Sequence, residues 1–177
     1  MSKKLEEMTL DELWELFPIV LTPHDPCWAQ WYEEEAALLR LLLPEGVGIH
    51  HIGSTAVEGI WAKPIVDILI EVPQEFGLSA AKEVLTANGY ICMSEGPSRI
   101  SLNKGYTERG YAERVFHVHL RNPGDTDEVL FRDYLNTHPD AAKEYEQLKL
   151  SLWKQYGRDR DGYTQAKGEF IKNCMEH

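Results

Sequence analysis

The chain has 177 residues, 43% of them apolar, and a formal charge of −11, which suits one globular domain with a sizeable core. That acidic balance excludes a general nucleic-acid binder and an anionic-membrane binder, since both need a basic footprint; a local basic pocket stays compatible with it. Three scattered cysteines, Cys27, Cys92 and Cys174, show no CxxC spacing, which excludes a disulfide framework and a zinc ribbon and points to a reducing, cytoplasmic compartment.

The opening MSKKLEEMTLDELWELF lacks the continuous apolar run of a signal peptide, and no apolar stretch approaches the ~20 residues of a membrane span. It predicts a helix over about Thr9–Phe17, with Thr9 as N-cap and Glu12 completing a capping box. PIVLTPHDP is extended and punctuated by proline. Trp28, Trp31, Tyr32, Glu35, Leu38, Leu39 and Leu42 give the 3–4 spacing of a helix with a buried stripe over Trp28–Leu43. Gly46–His51 reads as a strand and Gly53-Ser54 as a turn. Pro64–Val72 is almost continuously apolar, as a central strand should be. A helix over Ser79–Asn88 ends at Gly89. Tyr90–Met93 reads as a strand. Arg99–Lys104 and Glu113–Arg121 form a hairpin across the loop GYTERGYA. From Asp127 onward the pattern is helical: Glu128–Thr137, Ala141–Tyr156 after Pro139, and a last helix from about Tyr163. With no linker, repeat or low-complexity segment, this order describes a single α+β (mixed α/β) domain over 1–177, with the 9–17 helix as an extension.

The residues able to do chemistry are few. Asp67 stands among Ile65, Val66, Ile68, Leu69 and Ile70, and a carboxylate buried there needs a partner. That partner is either a salt-bridging or hydrogen-bonding neighbour, or Asp67 is a metal ligand or general base. His117 and His119 alternate with Phe116, Val118 and Leu120, so both imidazoles share one strand face roughly 6.6 Å apart. With a carboxylate from an adjacent strand they would make a two-histidine, one-carboxylate metal set, able to hold zinc with an open position. The alternative is that they are hydrogen-bonded spacers. His50 and His51 alternate faces, so only one can join such a site. Gly53-Ser54 is either an ordinary turn or one that directs N–H groups and a hydroxyl at a phosphate. Lys63 and Lys104 are either solvated lysines or phosphate partners. No serine-hydrolase elbow, P-loop, GxGxxG, HExxH or EF-hand is present, which removes most common enzyme classes.

These same residues carry a resemblance. HDPCWAQWYEEEA, HHIGSTAVEGIWAKPIVDILIEV, the Asn103–Gly105 NKG, HVHL, FRDYLNTHPDAAKEYEQLK and YTQAKGEFI together resemble the GrpB family over roughly Pro18–Ile171. The family is of poorly defined function and is similar in fold to nucleotidyltransferases. The chain departs from it at Glu58, where proline is usual, and at His24, where tyrosine is common. The resemblance implies a nucleotidyltransferase-like mixed sheet flanked by helices, with a helical C-terminal third. It also implies a Gly53-Ser54 turn that would hold a nucleoside triphosphate, and Asp67 as the second of two carboxylates that would bind a divalent metal such as Mg²⁺. The first falls at position 65, which is Ile65, and Glu71 sits about 13 Å further along the strand. The third carboxylate's strand corresponds to HVHL, which offers imidazoles. The oxygen cage that Mg²⁺ needs is therefore reduced or altered, with Mn²⁺ or Zn²⁺ as alternatives. The expected cleft holds Gly53, Ser54, Lys63, Asp67, Lys104, His117 and His119. Its expected guest is a phosphate-bearing small molecule or nucleotide, bound either for transfer chemistry or by a non-catalytic or accessory module; some family members accompany coenzyme A biosynthesis enzymes. Arg132 and Lys167 sit on C-terminal helices at family-like positions, with a helix ion pair or cap as the alternative, and Tyr134, Tyr145 and Phe170 read most simply as core or helix-packing residues.

Overall fold

The computed structural model describes residues 3–156 and 160–175. Five strands, β1 (Gly48–Ile52), β2 (Val66–Glu71), β3 (Ile91–Glu95), β4 (Arg99–Thr107) and β5 (Gly110–Arg121), form one sheet in the spatial order β1-β2-β5-β4-β3. Only β2 and β5 run parallel; the other pairs are antiparallel. The apolar run of the second strand thus ends up second from the β1 edge, buried on both faces.

Period-2 alternation gives the sheet two unlike faces. Val66, Ile68, Ile70, Val118, Leu120, Ile100 and Leu102 point to one side and are buried. They meet Leu39, Leu43 and Trp28 of the α2 region and Ala81 and Leu85 of α3 (α2, Cys27–Leu42; α3, Leu78–Thr86). Burying such side chains contributes roughly 1.5–3 kcal/mol each. The opposite face carries Asp67, Glu71, His117, His119 and Asn103. Residues paired across neighbouring strands share a face, so the register Asp67↔His117↔Asn103 fixes this set.

The α1 helix (Leu10–Leu16) has the expected cap: Thr9 Oγ1 accepts from Glu12 N at 3.2 Å and Thr9 N donates to Glu12 Oε2 at 2.7 Å. The β4–β5 hairpin is longer than its sequence suggests. The stretch read as loop continues the two strands to Thr107 and Gly110. The reason is aromatic packing: Tyr106 and Tyr111 pair across the hairpin, and Phe17 from the end of α1 lies 4.8 and 5.1 Å from their rings.

Three helices, α4 (Asp127–Thr137), α5 (Pro139–Tyr156) and α6 (Arg160–Met175), complete the chain. Phe131, Leu135, Ala142 and Tyr145 pack on Val57 and Ile60, while Leu152 and Tyr163 pack on Ile19. These helices also grip the end of β1 and the backbone that follows it. Arg132 Nη1 donates to His51 O, Asn136 Nδ2 to Ala56 O, Lys143 Nζ to Gly59 O, and Trp61 N donates to Glu146 Oε1. Arg132 therefore holds the end of β1 in addition to its contact with Asp133. No helix among the described residues is long and apolar enough to cross a membrane, and the three cysteines are free thiols.

Candidate functional site

The chain leaves β1 through Gly53 and makes a single 3₁₀ turn over Ser54–Ala56. Gly53 has φ +76°, and a Cβ there would lie 2.6 Å from Asp67 Oδ2. Only glycine fits both the left-handed backbone and that close approach. The turn is thereby set directly against the Asp67 carboxylate.

Parallel pairing of β2 with β5 puts Asp67 beside the two histidines. His119 Nε2 lies 3.2 Å, and His117 Nδ1 3.6 Å, from Asp67 Oδ1. Tyr106 Oη lies 2.7 Å from the far nitrogen of His117, so that imidazole is held from both sides. Burial is the largest influence on Asp67 and raises its pKa. The His119 hydrogen bond and the charges of His117, His119 and Lys63 together outweigh it, bringing the carboxyl down to about 2. Asp67 is therefore anionic at neutral pH although its side chain is only 29% exposed.

Gly53, Ser54, Lys63, Asp67, His117 and His119 all line one cavity of about 300 Å³, so six of the residues singled out from the sequence converge. Lys104 does not join them. It pairs with Phe116, not His117, in the sheet register and so points to the α2 side, where its Nζ donates to Glu35 Oε1 at 2.7 Å beside the Tyr90 ring. Neither His50 nor His51 is on the cavity wall. His50 shares the Asp67 face but meets Glu71 at 2.8 Å. His51 points to the other face, stacks on Tyr32 at 4.7 Å and bonds Thr55 Oγ1 at 2.9 Å. Burial, with Arg132 and His24 adding to it and Asp67 opposing, pushes the His51 pKa down to about 4.

Thr55 and Ile65 also line the cavity, and its far wall comes from α5 and α6: Tyr145, Lys149, Tyr163, Thr164 and Lys167. Lys167, at a family-like position with a helix ion pair or cap as the alternative, lines the cavity. Tyr145–Lys149 and Tyr163–Lys167 are i,i+4 pairs, which places each pair on one helix face. In both, the ammonium lies over its own tyrosine ring, at 5.1 and 4.9 Å from the centroid. Lys63 approaches the Tyr163 ring as well, at 5.5 Å. Lys149 is 2% exposed and bonds Trp61 O. Burial, followed by the charges of Lys167 and Lys63 with Glu146 opposing, lowers its pKa to about 6. The Tyr163 hydroxyl is fully buried with no hydrogen-bond partner among the described residues, and burial raises its pKa. The repeated Tyr-x₃-Lys spacing was the available sequence signal for these four residues.

A larger groove of about 970 Å³ lies between α1 and the β3–β4 region, lined by Leu10, Leu13, Trp14, Phe17, Ile91 and Met93. It is mostly apolar and touches the cluster only through Tyr106.

The fold is nucleotidyltransferase-like: the chain aligns with the Cid1 poly(U) polymerase, an H336N mutant bound to MgATP, at TM-score 0.53 and 9% identity, over 83% of this chain and 47% of that one. It aligns more fully with the conserved protein GrpB from Enterococcus faecalis, at TM-score 0.70 and 30% identity over 87% of this chain and 98% of that one. The family model for GrpB protein matches residues 18–177, and the chain is a member of the GrpB family. Among relatives it is 41% identical over 154 residues to the UPF0157 protein YqkA of Bacillus subtilis strain 168, covering 85% of this chain; the chain spans 44% of YqkA's length.

Nucleotidyltransferase folds imply Mg²⁺ held by carboxylates. The donor set here does not fit that group. Asp67 is the one carboxylate on the cavity wall among the described residues, Ile65 stands two positions before it, and imidazoles face it. Among the described residues no three histidine, cysteine or acidic side chains are arranged to hold a metal ion. What the wall does offer is anion-binding chemistry: a hydroxyl-bearing turn, three lysines and one hydrogen-bonded Asp–His pair.

Proposed function

We propose that this cleft binds a phosphate-bearing small molecule, with a nucleotide as the leading class, in the cytoplasm. The observation that carries the reading is the convergence of the Gly53-Ser54 turn and three lysines on the cavity that also holds Asp67 and His119. Ser54 and the turn's N–H groups would contact a phosphate oxygen, and the lysines would neutralise its charge. Three free thiols suit a reducing compartment.

Transfer chemistry at the bound phosphate is supported by the Asp67–His119 contact. Asp67 bonds His119 Nε2 and orients the imidazole, so that its other ring nitrogen, Nδ1, can take a proton from an attacking hydroxyl. Binding without transfer is the second reading, favoured by the single carboxylate. A thermal-shift screen of nucleoside triphosphates, each with and without Mg²⁺ and Mn²⁺, tests binding: a guest at 100 times its Kd stabilises by about 2.7 kcal/mol. A panel with no shift in Tm counts against both readings. Turnover of a labelled triphosphate by the wild type and not by His119→Ala would establish transfer.

A further inference from the structure

We infer that the cleft captures a polyphosphate without a divalent cation, with Lys63, Lys149 and Lys167 standing where metal ions would and the Tyr163 hydroxyl donating to a phosphate oxygen. This rests on the phosphate-binding reading above and adds how the charge is met.

Four observations lead there. First, the cavity wall lacks the carboxylates that would hold a cation against a phosphate; Asp67 alone supplies one, and it already bonds His119. Second, the wall carries three lysines against that one carboxylate, in a chain whose formal charge is −11. Lys63 and Lys167 disfavour the protonated form of the buried Lys149, and a polyanion between the three would reverse that and draw all of them into charged contacts. Third, their placement is built: Lys149 is 2% exposed, and both helix lysines lie over tyrosine rings that share the wall. The low pKa of Lys149, caused by burial and by its two lysine neighbours, fits a position completed by an anion. Fourth, Tyr163 has a buried hydroxyl with no partner among the described residues. An unmet buried donor is costly, and a phosphate oxygen at the cavity would meet it.

The test is isothermal titration of the full chain with inorganic tripolyphosphate and with ATP, each in EDTA and in Mg²⁺. Binding in EDTA is expected to be within about threefold of that in Mg²⁺, and about tenfold weaker in Lys149→Met and in Lys167→Gln, the loss of one charge-assisted contact in each case. Lys167 is only half-buried, so Lys167→Gln reports even if Lys149→Met fails to fold. Tyr163→Phe should weaken binding a few-fold with the fold kept. Binding of either probe that requires Mg²⁺ overturns the inference and leaves the phosphate-binding reading standing. Binding in EDTA that the lysine variants do not weaken also overturns it, by placing the anion elsewhere. No binding of either probe in either buffer overturns both.

Discussion

Asp67 is the residue on which the site turns. Its carboxylate faces the Gly53 backbone on one side and two imidazoles on the other. Asp67→Asn should cost roughly 1–3 kcal/mol at neutral pH, the worth of a charged hydrogen bond, read as a lower urea midpoint. The Asp67 carboxyl is lowered from 3.8 to about 2, so its contribution is present above pH 4 and lost as pH falls towards 2. Gly53→Ala should cost about 1–3 kcal/mol through its positive φ alone, and it should also push Asp67 aside. Lys149 has a linkage of the same sign in a higher pH window. Its pKa is lowered from 10.5 to about 6, with Lys63, Lys167, Glu146 and the rings of Tyr145 and Tyr163 around it. Between pH 6 and 10.5 the unfolded chain holds the proton that the folded chain does not, so wild-type stability rises with pH across that window. Lys149→Met should lose this rise, measured as Tm against pH. At this scale the sequence was readable where spacing alone decides: Asp67 stood out as one charge in an apolar strand, and the two histidines as an i,i+2 pair. Lys104 could not be placed that way, because its face depends on the β4–β5 register, and one step of register moves a side chain to the other side of the sheet.

Among the elements, the sheet core was legible because a both-faces-buried strand leaves a continuous apolar run. The hairpin was not, because polar and glycine residues from 105 to 112 read as loop while Phe17, some ninety residues away in sequence, packs on Tyr106 and Tyr111 and supports the longer strands. Phe17→Ala should cost about 3 kcal/mol, the usual loss for a buried phenylalanine. It should also loosen His117, which Tyr106 holds; hydrogen exchange of the 104–118 amides would report it. The helices α5 and α6 were read correctly as helices, yet their part in the cavity was not. Which face of a helix meets a distant loop is decided by tertiary packing, and Glu146 and Lys149 both bond Trp61 across more than eighty residues. Glu146→Gln should keep the helix and weaken the grip on the loop; Glu146→Ala should weaken it more.

For the whole molecule, charge distribution matters more than total charge. A chain at −11 keeps polyanions off most of its surface, so a phosphate that binds must find the lysine-lined cleft. Binding should therefore weaken as salt rises, less steeply than for exposed charges because the lysines are partly buried. Membership of the GrpB family and the nucleotidyltransferase-like sheet explain why turn, carboxylate strand and HVHL strand meet at one point. The three lysines lie in the same stretches that carry the family resemblance, Lys63 before the carboxylate strand, Lys149 and Lys167 on the last two helices. The most direct measurement is an NMR titration of ¹⁵N-labelled protein with ATP, following the Gly53 and Ser54 amides and the His117 and His119 side chains. Saturable shifts at these four residues, needing about tenfold more ATP in Lys167→Gln, are the predicted result. Shifts confined to the groove beside α1, or no saturable shift anywhere, would contradict the account.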